Sequence, residues 1–152
     1  MRNDERIDMA AAVTAGHGAP FNVVSLRAEP LRQDEVIVRI VATGVCQTDA
    51  HSRNGDLPVP MPAVLGHEGA GVVEATGSAV TAVSSGDHVA LTFPSCGRCR
   101  PCLAGSPANC LRSFELSFGC ARADGTSAYS SAGVHGHFFG QSSPTASSGP
   151  NG

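Results

Sequence analysis

The chain reads as a mainly β, barrel-like domain with long metal-binding loops. Three observations predict this. Short β-branched runs recur between Gly, Pro, Ser and Asp turn residues. No window longer than about ten residues carries a capped helical period. Four cysteines crowd into one stretch after the last strong strand signal. At 152 residues the chain is long enough for one buried core.

The elements follow in order. Residues 1–8 are charged and read as a solvated N-terminal extension, with Met9 as an alternative start. Residues 10–14 and 22–26 are weaker strand candidates, the first Ala-rich and the second broken by polar residues. Residues 36–42, Val-Ile-Val-Arg-Ile-Val-Ala, are the first strong strand. A long loop is expected from Gly44 to Gly66. Strands follow at 70–76 and 87–92, and then the cysteine loop. From Gln141 the sequence turns to Ser, Pro and Gly, a composition too poor in apolar residues to pack. The expected division is an extension at 1–8, a domain at 9–143 and a disordered tail at 144–152. There is no internal repeat.

Composition excludes several classes. Net charge is −3, all ten basic residues are Arg, and they are scattered. Nucleic-acid binding would need a basic patch, and single-strand binding a stacking platform that six Phe, one Tyr and no Trp do not suggest. No apolar run reaches membrane-spanning length, and the charged N-terminus lacks the apolar centre of a signal peptide. A reducing cytoplasm is the expected compartment, where clustered cysteines mean metal or redox chemistry.

Cys96, Cys99, Cys102 and Cys110 fall at C-x2-C-x2-C-x7-C. Four thiolates on one short loop suit a closed tetrahedral Zn²⁺ site, and closed sites are structural. Gly97 and Gly105 permit turns between ligands, and Pro101 and Pro107 stiffen the loop. Two disulfides in an exported protein, or an Fe–S cluster, are the alternatives. Zinc fits the spacing and the absence of an export signal better.

A second constellation joins Cys46, in Gly44-Val45-Cys46-Gln47-Thr48-Asp49-Ala50-His51, to His67, in Gly66-His67-Glu68-Gly69. Each candidate ligand leaves a strand end beside glycine. Taken alone, Cys46 could be a small buried hydrophobe and His67 a satisfied loop histidine. These two segments and the four-cysteine loop occur in the order that resembles zinc-dependent medium-chain alcohol dehydrogenases, over residues 10 to 143. Phe93-Pro94-Ser95-Cys96 and residues 137–143 resemble the aryl (benzyl) alcohol branch in particular.

The resemblance implies a GroES-like, partly open β-barrel and a set of roles. Cys46 and His67 are two of three protein ligands of a catalytic zinc, with Glu68 as an exchangeable ligand. Thr48 hydrogen-bonds the substrate oxygen, and His51 passes its proton to solvent. Asp49 orients the ring of His67. Leu57 and Phe93 wall the substrate pocket. The implied partner is a small alcohol or aldehyde, and the implied cofactors are Zn²⁺ and, in the full-length family, NAD(P). His17, His88, His135 and His137 receive no role, and Cys120 reads as buried filler.

Two parts of such an enzyme are not found in the sequence. The family's third zinc-ligating Cys lies beyond this chain's last residue. A Rossmann domain with its Gly-rich turn is absent; Gly69-Ala70-Gly71-Val72-Val73-Glu74 has Glu where the third Gly belongs and reads as a strand. The expectation is the N-terminal catalytic domain of an alcohol dehydrogenase, truncated near residue 143 and inactive alone. Its uncovered apolar face would then favour self-association. The competing reading is a stand-alone zinc-binding β module that acts by protein contact.

Overall fold

The computed structural model describes residues 7–122, 124–130 and 137–138. β1 (Ile7–Thr14) and β2 (Phe21–Ala28) form a hairpin paired along its whole length, from Ile7 opposite Ala28 to Thr14 opposite Phe21. The turn between them is held by fully buried Thr14, whose hydroxyl donates to the carbonyls of Gly16 and Ala19 at 3.0 and 3.3 Å. β1 begins three residues earlier than its apolar pattern suggested. Asp8, read as part of a solvated extension, lies opposite Arg27 and pairs with it at 2.8 Å. Cross-strand charge pairing of this kind adds modest support to a strand whose middle is Ala-rich.

This hairpin anchors a sheet of order β7-β2-β1-β4-β8, in which β4 (Ala63–Val64), β7 (Tyr129–Ser130) and β8 (His137–Phe138) are two-residue strands. A second sheet, β3-β5-β6, is antiparallel and contains the three strong strand signals: β3 (Val36–Thr43), β5 (Gly69–Thr76) and β6 (His88–Ala90). Two register shifts interrupt the β3–β5 ladder. Gly71 sits there because a Cβ would come within 2.2 Å of the Arg39 carbonyl oxygen.

Each sheet carries its own small core. Val73, Val83 and Val89 pack with Val36, Val38 and Val80 on the second sheet. Val59, Ala63 and Cys120 pack with Leu57, Met61, Leu65 and Phe118 near β4. Cys120 is filler, as expected, and burial pushes its thiol up to about 11. An ionic clamp joins distant loops. Arg122 grips Glu35 through two hydrogen bonds of 2.6 and 2.7 Å and also donates to the Pro30 carbonyl at 3.3 Å.

No long helix is expected from the sequence, and among the described residues the α-helices are three short ones, none longer than eight residues. α1 (Gln47–Asn54) lies inside the expected 44–66 loop; α2 (Arg100–Leu103) contains Cys102, and α3 (Ser113–Phe118) follows Cys110. α1 reads Gln-Thr-Asp-Ala-His-Ser-Arg-Asn, so it has no apolar stripe to reveal it. An eight-residue helix is marginal unless its ends are fixed. Here both ends are. Cys46 Sγ accepts the Thr48 N–H at 3.3 Å, and Asp49 Oδ2 accepts the Cys46 N–H at 3.0 Å, a reciprocal cap. At the other end Gly55 takes a left-handed φ of 90°, and the Asp56 N–H reaches back to the His51 carbonyl at 2.9 Å. Of the unpaired strand edge expected near Phe138 and Phe139, Phe138 lies in β8, which pairs in parallel with β4, while Phe139 and the 144–152 tail lie outside the described residues.

Candidate functional site

The four loop cysteines converge. Their Sγ atoms all lie within 4.8 Å of one another, with Cys99 at 3.4 Å from Cys102 and 4.0 Å from Cys110. A tetrahedral zinc with bonds of about 2.3 Å needs sulfur–sulfur edges of about 3.8 Å, so the donor set fits this ion. The loop achieves the convergence with left-handed glycines at Gly97 and Gly105, with φ of 68° and 77°, and with Cys99 as the N-cap of α2. Backbone N–H groups support the sulfurs. Cys96 N–H donates to Cys110 Sγ, Cys99 N–H to Cys96 Sγ, and Arg112 N–H to Cys110 Sγ, at 3.3 to 3.4 Å.

The thiols of Cys96, Cys99 and Cys102 are pulled in different directions. The Arg98 backbone N–H, followed by that of Cys99, pulls the Cys96 thiol down to about 6. Cys99 is lowered too, first by the Cys102 backbone N–H. Burial, reinforced by the neighbouring sulfurs, pushes Cys102 up to about 11. A bound dication removes this conflict by favouring all four thiolates at once. All six cysteines of the chain are free of disulfides, which leaves the disulfide alternative without support.

The second site gathers Cys46, Asp49 and His67, whose donor atoms also lie within 4.8 Å of one another. Cys46 Sγ stands 3.2 Å from His67 Nε2. Sulfur and imidazole nitrogen bound to one tetrahedral zinc would be about 3.6 Å apart, so the pair is close to ligating geometry. Asp49 is 4 % exposed and divides its oxygens between the two ligands. One accepts the Cys46 N–H, and the other lies 3.4 Å from His67 Nδ1. That second oxygen, Oδ1, is buried without a well-aligned hydrogen bond. A carboxylate aimed at the far nitrogen of a histidine is the usual outer support of a metal-binding imidazole.

The other expected residues surround this point to different degrees. Phe93 stacks on His67, with ring centroids 5.8 Å apart. Thr48 is half-buried in the first turn of α1, and its carbonyl accepts the Ser52 hydroxyl at 2.8 Å. His51 is exposed one turn later, with Nδ1 at 2.8 Å from Asp56 Oδ2 and Nε2 at 3.5 Å from the Gln47 amide nitrogen. Glu68 is not gathered with Cys46 and His67; its exposed carboxylate covers Gly44, where a Cβ would come within 2.0 Å of Oε2. Leu57 packs into the Val59–Ala63–Cys120 core. A groove of about 510 Å³ is walled by Phe93, Pro94, Phe114 and Phe118 among others. Sequence reading missed Asp56 and the Phe114–Phe118 wall. The only signal for Asp56 was its position directly after the helix-ending Gly55.

Comparison with known proteins gives the family. Residues 32–138 match the alcohol dehydrogenase GroES-like domain. The chain is 48% identical over 140 residues to geraniol dehydrogenase of Castellaniella defragrans, which spans 90% of this chain and 37% of that protein. Among solved structures, an alcohol dehydrogenase zinc-binding domain protein from Burkholderia ambifaria superposes with a TM-score of 0.84 at 49% identity, covering 89% of this chain and 37% of the other. Benzyl alcohol dehydrogenase from Acinetobacter calcoaceticus superposes with a TM-score of 0.81 at 45% identity, covering 88% and 36%. The chain therefore spans little more than a third of the length of these relatives. The family match covers most of the chain and the relatives agree with it: the chain belongs to the zinc-dependent alcohol dehydrogenases, through their GroES-like domain.

Proposed function

We propose that this chain supplies the metal-binding part of an alcohol dehydrogenase active site, in an enzyme that oxidises a primary, apolar, aromatic alcohol to its aldehyde with NAD(P). The observation that carries this reading is the Cys46–Asp49–His67 group: two ligand atoms 3.2 Å apart, with one oxygen of the buried Asp49 carboxylate accepting the Cys46 backbone N–H and the other facing His67 Nδ1 at 3.4 Å. Cys46 and His67 would hold the catalytic zinc, and Cys96, Cys99, Cys102 and Cys110 a structural one. Bound at the first site, Zn²⁺ supplies Lewis acidity to an alcohol oxygen. The chain's own residues would handle the proton and the substrate body. Thr48 would accept the alcohol proton, His51 would carry it to solvent, and Phe93 with the Phe114–Phe118 wall would hold an aromatic or allylic body beside His67.

Both sheets are built around antiparallel pairs, and no doubly wound parallel sheet occurs among the described residues. The nicotinamide would therefore be held by another part of the enzyme, and the chain by itself should not turn over alcohol. No helix among the described residues is long and apolar enough to cross a membrane. Six free cysteines suit a reducing compartment such as the cytoplasm. A chimera is the test. This chain replaces the matching third of the Acinetobacter benzyl alcohol dehydrogenase, and zinc content reports folding. Benzyl alcohol oxidation that is lost in Cys46→Ser supports the reading. A folded, zinc-loaded chimera with no activity, or activity indifferent to Cys46→Ser, would refute it.

A further inference from the structure

We propose that Asp56 is a positioning residue that selects the tautomer of His51, so that Nδ1 carries the proton and Nε2 is left as the acceptor. The inference rests on the proposed relay role of His51, and goes beyond it by naming what makes that ring able to receive a proton on the right side.

The geometry comes from the helix terminus. α1 ends in a cap where Gly55 takes a left-handed conformation and donates to the Ser52 carbonyl at 3.3 Å. The next residue, Asp56, sends its backbone N–H to the His51 carbonyl at 2.9 Å. In helix endings of this type the residue after the glycine is folded back against the residue five positions before it, and an apolar contact commonly forms between them. Here that contact is polar. Asp56 Oδ2 lies 2.8 Å from His51 Nδ1. The same turn therefore fixes carboxylate and imidazole twice, through backbone and side chain.

A carboxylate only accepts hydrogen bonds, so the Asp56 contact requires a proton on Nδ1. Nε2 of the neutral ring is then unprotonated. It points along the helix toward the first turn, with the Gln47 amide nitrogen 3.5 Å away as a matching donor. Thr48 lies on the same helix three residues before His51. A proton arriving from that side binds to the Nε2 lone pair and produces an imidazolium next to the Asp56 carboxylate. Loss of one proton from that imidazolium to water restores the neutral ring, so charge and protons balance. With the opposite tautomer, Nε2 would present a hydrogen to the incoming proton and could not accept it. Asp56 does not touch the substrate; it acts through His51.

The test is imidazole ¹⁵N NMR of the full chain with zinc bound, at a pH where His51 is neutral. Long-range proton–nitrogen correlations report which ring nitrogen is protonated. The Nδ1–H form of His51 should predominate in the wild type. Asp56→Ala should lower the ratio of Nδ1–H to Nε2–H by about two- to fivefold, the range expected for an exposed pair. Asp56→Asn, which retains a carbonyl acceptor, should restore most of it. A wild-type ring protonated at Nε2, or a ratio unchanged in Asp56→Ala while the helix remains folded, would overturn the proposal. If Asp56→Ala loses the helix signals, the wild-type tautomer and the Asn variant still decide. These readouts need no alcohol or nicotinamide. A failed relay would instead appear as a His51→Ala chimera with undiminished turnover, so the two failures are distinguishable.

Discussion

Replacing Asp49 with Asn should weaken metal binding at Cys46 and His67 by about 10- to 100-fold, or about 1.4–2.7 kcal/mol. Asp49 is buried and uses both oxygens, one for the Cys46 N–H at 3.0 Å and one facing His67 Nδ1 at 3.4 Å. Asn has nearly the same shape but only one acceptor. If its oxygen stays on Cys46, its NH₂ meets Nδ1 and forces the ring proton onto Nε2, the atom that should bind metal. If its oxygen turns to His67, the Cys46 N–H loses its acceptor and α1 loses part of its cap, at a cost of about 1 kcal/mol. Either arrangement damages one ligand. Cobalt binding to chain whose cysteine cluster is already filled with zinc measures the affinity, and a urea melt measures the cap. Equal affinities within twofold, with both proteins folded, would refute the argument that one carboxylate fixes two ligands. An equal loss at the four-cysteine site would refute it too, because Asp49 does not belong to that cluster.

Two further outcomes follow from packing and charge. Arg122→Ala should cost about 2–3 kcal/mol in urea denaturation, below the ~3–5 of a fully buried pair because Glu35 is a quarter exposed; a loss under about 0.5 would show the clamp to be ordinary surface pairing. Val41, Val45 and Phe93 are 67%, 86% and 66% exposed, so the chain should self-associate in sedimentation velocity as concentration rises. A monodisperse monomer throughout the series would contradict that.

How much of this was legible depended on where the stabilising free energy resides. β3, β5 and β6 draw theirs from β-branched packing, so Val36, Val38, Val73 and Val89 announce them. β1 draws much of its support from pairing along the whole of β2, which an Ala-rich run does not reveal. α1 was invisible because its stability lies in its caps, and the N-terminal one uses a cysteine and an aspartate that also serve the metal site. The four-cysteine site was readable because all its ligands lie within fifteen residues of chain, in a spacing that suits one ion. The Cys46–His67 pair is separated by twenty-one positions. Only the family resemblance brought those two together before the fold did. The Glu35–Arg122 clamp spans 87 positions and left no local trace.

The central claim is that the chain carries one closed four-thiolate site and one open site at Cys46 and His67. Cobalt titration of metal-free protein, followed by optical spectroscopy, tests it most directly. The first equivalent should give intense thiolate charge-transfer and tetrahedral bands that are lost in Cys99→Ser. A second, weaker equivalent should add a smaller thiolate band that is lost in Cys46→Ser and reduced in His67→Ala, because this chain supplies two ligands there rather than three. Failure of Cys99→Ser to affect the first equivalent would contradict the account. So would a second equivalent that is as tight as the first or indifferent to both Cys46→Ser and His67→Ala.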